Sequence, residues 1–159
     1  MTRAASLLLL LVLVACASAY DDTYRAETNR LEEAQASQDA VDRAAHAEAS
    51  RYAAVLYFEL GSSALDDAAR HELRWFVEKM QPYPQAEFLV QGFADSTGSE
   101  LRNLDLSIER AQAVTSYLVA QGVGKERLSV EAFSSNYPAG SNETPEGRNR
   151  NRRVEVTVR

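Results

Sequence analysis

Gly92–Ala111, GFADSTGSELRNLDLSIERA, is the stretch around which the rest of the chain is read. It opens on a turn of small and polar residues that carries one acid, Asp95. It closes inside an amphipathic helical pattern that carries one base, Arg110. The spacing sets the acid on the loop before the helix and projects the base from within it, so a carboxylate and a guanidinium can face a common pocket. Such a pair suits a zwitterion. An ammonium needs a carboxylate acceptor, and a planar carboxylate matches the fork of an arginine, at roughly 1.5–3 kcal/mol per charge-assisted bond. The plainer alternative is a structural salt bridge between the two that binds nothing.

Outward from this stretch the patterning predicts alternating strands and helices. AEFLVQG, Ala86–Gly92, leads into it as a strand, and a helix from about Asn103 to Gln121 follows, burying Leu104, Ile108, Ala111, Val114 or Thr115, and Leu118. Gly122 stands in the position of its C-cap. Upstream, AAVLYFEL after Tyr52 reads as a strand, and Gly61-Ser62-Ser63 supply candidate N-caps for a helix over Leu65–Met80. Its apolar stripe is Leu65, Ala69, Leu73, Phe76 and Met80, and Pro82 and Pro84 end it. Downstream, Arg127–Phe133 alternates as a third strand. A polar loop with Asn136, Pro138, Gly140 and Pro145 precedes a fourth, Val154–Val158, whose valines share one face. One apolar face per strand and two amphipathic helices imply a two-layer α/β sandwich, a four-stranded mixed sheet with its helices on one face.

The N-terminal third is different. Ala4–Val14 is an apolar run behind a single Arg3, too short to span a bilayer and of the length of a signal-peptide core. It stops at Leu13-Val14-Ala15-Cys16, which resembles the bacterial lipobox, in which Cys16 becomes the lipidated first residue. The alternative is an ordinary secretory peptide cut at Ala17-Ser18-Ala19. Cys16 is the one cysteine, so no intramolecular disulfide is available. Ala17 after it, where an Asp would retain the protein at the inner membrane by enteric sorting rules, favours the outer membrane. Tyr20–Ser50 has no Gly or Pro and prefers helix. It reads as a solvated tether of about 45 Å if fully helical. A weak heptad through Tyr24, Leu31, Ala34, Val41, Ala45 and Tyr52 is broken by Glu27, Gln38 and Glu48, so a coiled coil is the poorer reading. The organisation expected is a signal peptide at 1–15, a lipidated N-terminus and helical linker at 16–50, and a domain at 51–159.

Composition excludes several classes of function. The 159 residues are 45% hydrophobic, enough for one domain and a smaller appendage. With 17 basic against 23 acidic side chains the net charge is −6, which disfavours general nucleic-acid binding. His46 and His71 have no metal-pair spacing. Ser62, Ser63, Ser134 and Ser135 lack an activating context, and Asp66-Asp67 is better explained as favourable charge at a helix N-terminus. No catalytic set, metal site or cofactor is therefore expected. The arginines at 148, 150, 152, 153 and 159 are interleaved with a strand and are read as pairing with carboxylates or facing solvent.

Several motifs in order carry a resemblance. Gly92, Asp95 and Gly98 are followed by Asn103, Leu106, Ser107, Arg110 and Ala111, which fit N-x-x-L-S-x-x-R-A. Then come Thr144, Gly147, Arg148 and Asn151-Arg152-Arg153-Val154-Glu155, while Tyr57–Leu65 matches an opening strand and turn. Together these resemble the OmpA C-terminal-like (OmpA/MotB/Pal) family over about Ser50–Arg159. The resemblance implies non-catalytic binding of peptidoglycan through the diaminopimelate of the stem peptide, with Asp95 and Arg110 holding its free amino-acid end. Asn103 either caps the helix or hydrogen-bonds the ligand, and the backbone N–H groups near Ser96 and Thr97 are candidate receivers of a carboxylate. Phe93 and Ala94 stand where the family usually has His and Thr, a departure that bears on affinity and not on the class of function. The implied protein is a Pal-like lipoprotein tethering the outer membrane to the wall. The competing reading is an envelope interaction module of the same fold, in a secretion, motility or Tol-type assembly, with an idle or secondary pocket.

Overall fold

The computed structural model describes the backbone of residues 2–159 and the side chains of residues 20–159. Cys16, the residue expected to carry lipid, and the side chains of the expected signal peptide lie outside the described side chains. The chain divides between Ala44 and Ala45 into two units.

The first unit is the greater part of helix α1, Thr2–Ala49. Among its described side chains, Tyr20, Tyr24, Leu31 and Val41 are exposed. The helix is supported along its surface by pairs one turn apart, with Arg25 donating to Asp21 at 3.0 Å and Gln38 to Asp42 at 2.9 Å. Such exposed pairs contribute only about 0.3–0.5 kcal/mol each. No described helix is long and apolar enough to cross a membrane.

The second unit holds the sheet. Strands β1 (Ala53–Tyr57), β2 (Phe88–Gly92), β3 (Leu128–Ala132) and β4 (Arg153–Val158) form one mixed sheet in the order β1-β4-β2-β3. β4 runs antiparallel to both neighbours, and β2 pairs with β3 in parallel. A parallel pair needs a crossover, which helix α3 (Glu100–Ala120) provides; helix α2 (Asp67–Met80) packs on the same side over β1. Alternation does the sorting: Ala54 and Leu56, Phe88 and Val90, and Val154 and Val156 point into the core beneath the helices, while Val55 and Tyr57 on the other face stay exposed. The α/β layering with helices on one face is therefore as the patterning predicts.

The helix starts are not. Ser62 and Ser63 do not cap α2; Asp66 does, its carboxylate accepting from the Ala69 N–H at 2.7 Å. Helix α3 begins three residues before Asn103, and its cap is Ser99, whose hydroxyl accepts from the Arg102 N–H. Asn103 is thus inside the first turn, where it is buried. The face turns with it: Leu106 is buried and Leu104, which the periodic reading buries, is 37% exposed. At the far end Gly122, at φ +93, closes a Schellman motif, with Val123 N–H donating to Leu118 O and Gly122 N–H to Val119 O. The polar loop after β3 contains a further short helix, α4 (Pro145–Asn151), capped by Thr144.

Candidate functional site

The end of β2 is pressed against α3. A Cβ at Gly92 would lie 2.1 Å from the Ser107 carbonyl oxygen, so only glycine lets the strand end there and release the Phe93–Thr97 loop beside the helix. The loop is then held from three sides. Phe93 N–H donates to Arg153 O at 2.9 Å, Ala94 N–H to Ser134 O at 2.7 Å, and Ser96 N–H to Asn142 Oδ1 at 3.1 Å. Asn142 is itself fixed by Asn151 Nδ2 at 2.8 Å.

Phe93 fills the place where the family usually has His. It stacks on Phe133 with centroids 5.3 Å apart, and the Arg153 guanidinium lies 3.9 Å from its ring. Cation–π contacts of this kind contribute on the order of 0.5–2 kcal/mol. Packing therefore fixes the loop root here.

Asp95 is almost wholly buried. Its Oδ1 accepts from the Thr97 N–H at 2.8 Å and its Oδ2 from Arg152 Nη1 at 2.9 Å. Burial pushes its carboxyl upward, but the Thr97 amide and the Arg152 guanidinium outweigh that and hold it below the ordinary carboxylate value. The plainer alternative, a structural salt bridge between Asp95 and Arg110, does not form; Asp95 pairs with Arg152 at 2.9 Å.

Arg110 is fully buried and points its guanidinium at backbone. Nε donates to Ser62 O at 2.9 Å, Nη1 to Phe93 O at 3.0 Å and Nη2 to Glu59 O at 3.1 Å. It thereby ties the β1–α2 turn to the Asp95 loop. Burial, followed by the charge of Arg152, lowers its pKa to about 10.

The four residues Asp95, Thr97, Asn103 and Arg110, together with Arg152, line one cavity of about 80 Å³. Ser96 belongs to a larger neighbouring cavity of about 610 Å³, which shares Asp95, Thr97 and Arg152 with the first. Two expectations change. Asn103 is not the cap, and its side chain is on the cavity wall. The Ser96 and Thr97 N–H groups, expected as carboxylate receivers, are both engaged within the protein, one by Asn142 and the other by Asp95 itself. Arg152 is the residue the sequence reading missed as a site residue. It donates through Nε to Phe58 O at 2.9 Å and through Nη2 to Asn149 Oδ1, besides its bond to Asp95. Its only signal is its place in Asn151-Arg152-Arg153, a run treated as part of a pattern and not as a ligand wall. Among the described residues no group of His, Cys, Asp and Glu is arranged to hold a metal ion.

Residues 57–152 match the OmpA family, a span that takes in every residue of both cavities. The chain belongs to the OmpA family. Within it, the chain is 44% identical over 81 residues to the peptidoglycan-binding protein ArfA of Mycobacterium tuberculosis, covering 51% of this chain and 25% of ArfA. It is 37% identical over 101 residues to the probable lipoprotein YiaD of Escherichia coli, covering 64% of this chain and 46% of YiaD. The crystal structure of the peptidoglycan-associated lipoprotein from Burkholderia pseudomallei superposes with a TM-score of 0.64 at 25% identity, over 67% of this chain and 90% of that one. The chain thus spans between a quarter and a half of the length of the two sequence relatives. What it shares with them is the OmpA-family domain.

Proposed function

We propose that this protein binds peptidoglycan without cleaving it, gripping the diaminopimelate of the stem peptide in the cavity at Asp95. The observation that carries the reading is the convergence of Asp95, Asn103 and Arg110 on one cavity wall within an OmpA-family domain. In this reading Asp95 receives the ammonium of the ligand and the guanidinium N–H groups of Arg110 not engaged by backbone receive its carboxylate; Asn103 adds a neutral hydrogen bond. The printed names of ArfA and of the Burkholderia protein, both of which speak of peptidoglycan, support the same ligand class. One small ligand held by two charged contacts, less the cost of ordering and desolvation, binds modestly. Many copies facing a repeating polymer turn modest affinity into firm attachment.

Lipidation at Cys16, in the outer membrane with the domain in the periplasm and α1 as spacer, completes the proposal. Two or more acyl chains are required for a stable hold, since one gives only marginal membrane binding. The named lipoproteins among its relatives support this part.

Co-sedimentation of the full chain, held in detergent, with purified sacculi tests the binding. The unmodified protein is expected to pellet, and Asp95→Ala and Arg110→Ala to remain in the supernatant while Trp75 fluorescence reports whether each is folded. Equal pelleting of folded variants would sink the site. Failure of the unmodified protein to pellet would favour the envelope interaction module. Cys16→Ser is expected to release the protein from membranes and to lower its mass by the acyl groups; an unchanged mass removes the anchor.

A further inference from the structure

The charges around Asp95 do not balance. The wall of the 80 Å³ cavity carries Arg102, Arg110 and Arg152 against one acid, Asp95, and the nearby Glu109 is paired with Arg102 at 3.6 Å, so two acids stand against three arginines. The 610 Å³ cavity adds Arg148 to its wall and no acid besides Asp95. Hydrogen-bond capacity tilts the same way. A guanidinium has five N–H donors; Arg110 and Arg152 each have three engaged, leaving two apiece. Asp95 already accepts from Thr97 and Arg152. A pocket of this kind inside an acidic protein is an anion receptor with one acceptor set into it. Burial and then the charge of Arg152 lower the pKa of Arg110, while Asp95 and Glu109 act against them.

A zwitterion carries no net charge and leaves that surplus in place. Its ammonium, besides, must reach Asp95 against Arg152, which already sits 2.9 Å from the carboxylate. Acylation of the same amine changes both terms: the ligand becomes a net anion, and it offers Asp95 a neutral amide N–H. The acyl group then needs room beside Asp95 and away from Arg110. The larger cavity provides it, sharing the Asp95, Thr97 and Arg152 wall and continuing past the side-chain amides of Asn142 and Asn149.

We propose that the site prefers an N-acylated diaminopimelate, the chemistry of a cross-linked stem peptide, with the carboxylate in the smaller cavity, the acyl partner in the larger one, and Arg152 setting the preference. This rests on the diaminopimelate reading above. It makes the protein a ligand of mature, cross-linked wall, and it makes a free carboxylate, not a free amine, the indispensable group.

Calorimetric titration of the full chain in detergent separates the possibilities. The probes are a soluble disaccharide-tetrapeptide with a free diaminopimelate amine, the same muropeptide acetylated on that amine, its cross-linked dimer, and the free-amine form with the carboxylate converted to carboxamide. The acetylated and dimeric ligands are expected to bind at least about threefold tighter than the free amine, and the carboxamide more than about tenfold weaker. Tighter binding of the free amine than of both acylated ligands would overturn the preference and leave the diaminopimelate reading standing. If none of the four binds, that reading falls and this one with it. Arg152→Gln is expected to reverse the order in favour of the free amine, and Arg152→Lys to keep it; an unchanged order in a folded Arg152→Gln protein would remove Arg152 from the argument. The ligand comparison on the unmodified chain decides the preference even if the Gln variant does not fold.

Discussion

Helices α2 and α3 cover the same face of one sheet and bury different chemistry. The buried side of α2 is Ala69, Leu73, Phe76 and Met80, apolar throughout. That of α3 starts with the polar Asn103, Ser107 and Arg110 around Leu106 and is apolar throughout only from Ala111 through Val114 to Leu118. The second half of α3 does what α2 does. The first half gives up apolar burial, at about 25 cal/mol per Å², to bring a guanidinium and an amide to a cavity, and Ser107 and Arg110 are held there by hydrogen bonds within the protein. Ser107 Oγ donates to Leu104 O at 2.7 Å and accepts from the Ser134 N–H, and Arg110 satisfies three carbonyls on two segments. The lesson is that a site can sit inside a core layer if its polar groups are used structurally as well.

Arg110→Ala is expected to have the largest effect. It strands the carbonyls of Glu59, Ser62 and Phe93 and removes the largest fully buried side chain. A loss of about 3–5 kcal/mol is expected in urea unfolding, together with loss of wall binding. Leu73→Ala makes the matching change in α2. A cavity under a fully buried leucine costs about 3 kcal/mol, but here the folded fraction should bind sacculi as the unmodified protein does. Trp75, the single tryptophan, sits on α2 edge-on to Tyr52 with centroids 6.1 Å apart and reports both transitions. If Leu73→Ala impaired binding as deeply as Arg110→Ala, the division of labour between the helices would be wrong.

These same helices mark how much of the molecule is legible in its sequence. The α2 stripe is read correctly from Ala69 to Met80 because every buried position is apolar, so period and burial coincide. In α3 they part company. Asn103, Ser107 and Arg110 are buried polar residues, so apolar periodicity picks Leu104 and Ile108 and turns the first two turns toward the wrong side. Asn103 and Ser99 are both good cap residues, and nothing local says that the earlier one is used. The Asp95–Arg110 pair is legible as two members of one cavity, since both lie within one loop and helix. Arg152 is not, because it reaches Asp95 from 57 residues away through the pairing of β4 with β2, a tertiary fact with no local trace. Helix α4 is hidden for a related reason: Pro145 and Gly147 look like loop residues, and seven residues carry little periodic signal.

Asp95→Asn probes the middle of the effect range. It keeps the shape of the side chain and removes the charge that Arg152 and the Thr97 amide were answering, at an expected cost of about 1.5–3 kcal/mol at neutral pH. The pH dependence has a definite sign. A carboxyl whose folded value lies below its ordinary 3.8 stabilises the fold above that value, and the contribution fades as pH falls from there through the folded value. The unmodified protein should therefore lose stability on acidification below about pH 4 more steeply than Asp95→Asn does. Parallel acid limbs for the two proteins would mean that Asp95 is not the group whose ionisation supports this end of the sheet.

The smallest effects expected are at the two caps, and they separate stability from site geometry most cleanly. Asp66 accepts from the Ala69 N–H at 2.7 Å and Ser99 from the Arg102 N–H at 3.3 Å. A charged acceptor at the positive end of a helix, held at the shorter distance, is the stronger cap. Asp66→Ala should therefore cost about 1 kcal/mol or slightly more, and Ser99→Ala somewhat less. In binding the order should invert. Asp66 begins a helix whose buried face is all core, whereas Ser99 fixes where α3 starts, one turn before Asn103 and directly after the loop that carries Asp95. Fraying at Ser99 loosens Asn103 and the Asp95 loop together, so Ser99→Ala should weaken pelleting with sacculi more than Asp66→Ala although it destabilises the fold less. If the two variants rank the same way in urea and on sacculi, the first turn of α3 contributes stability alone, and the contrast between the helices begins no earlier than Arg110.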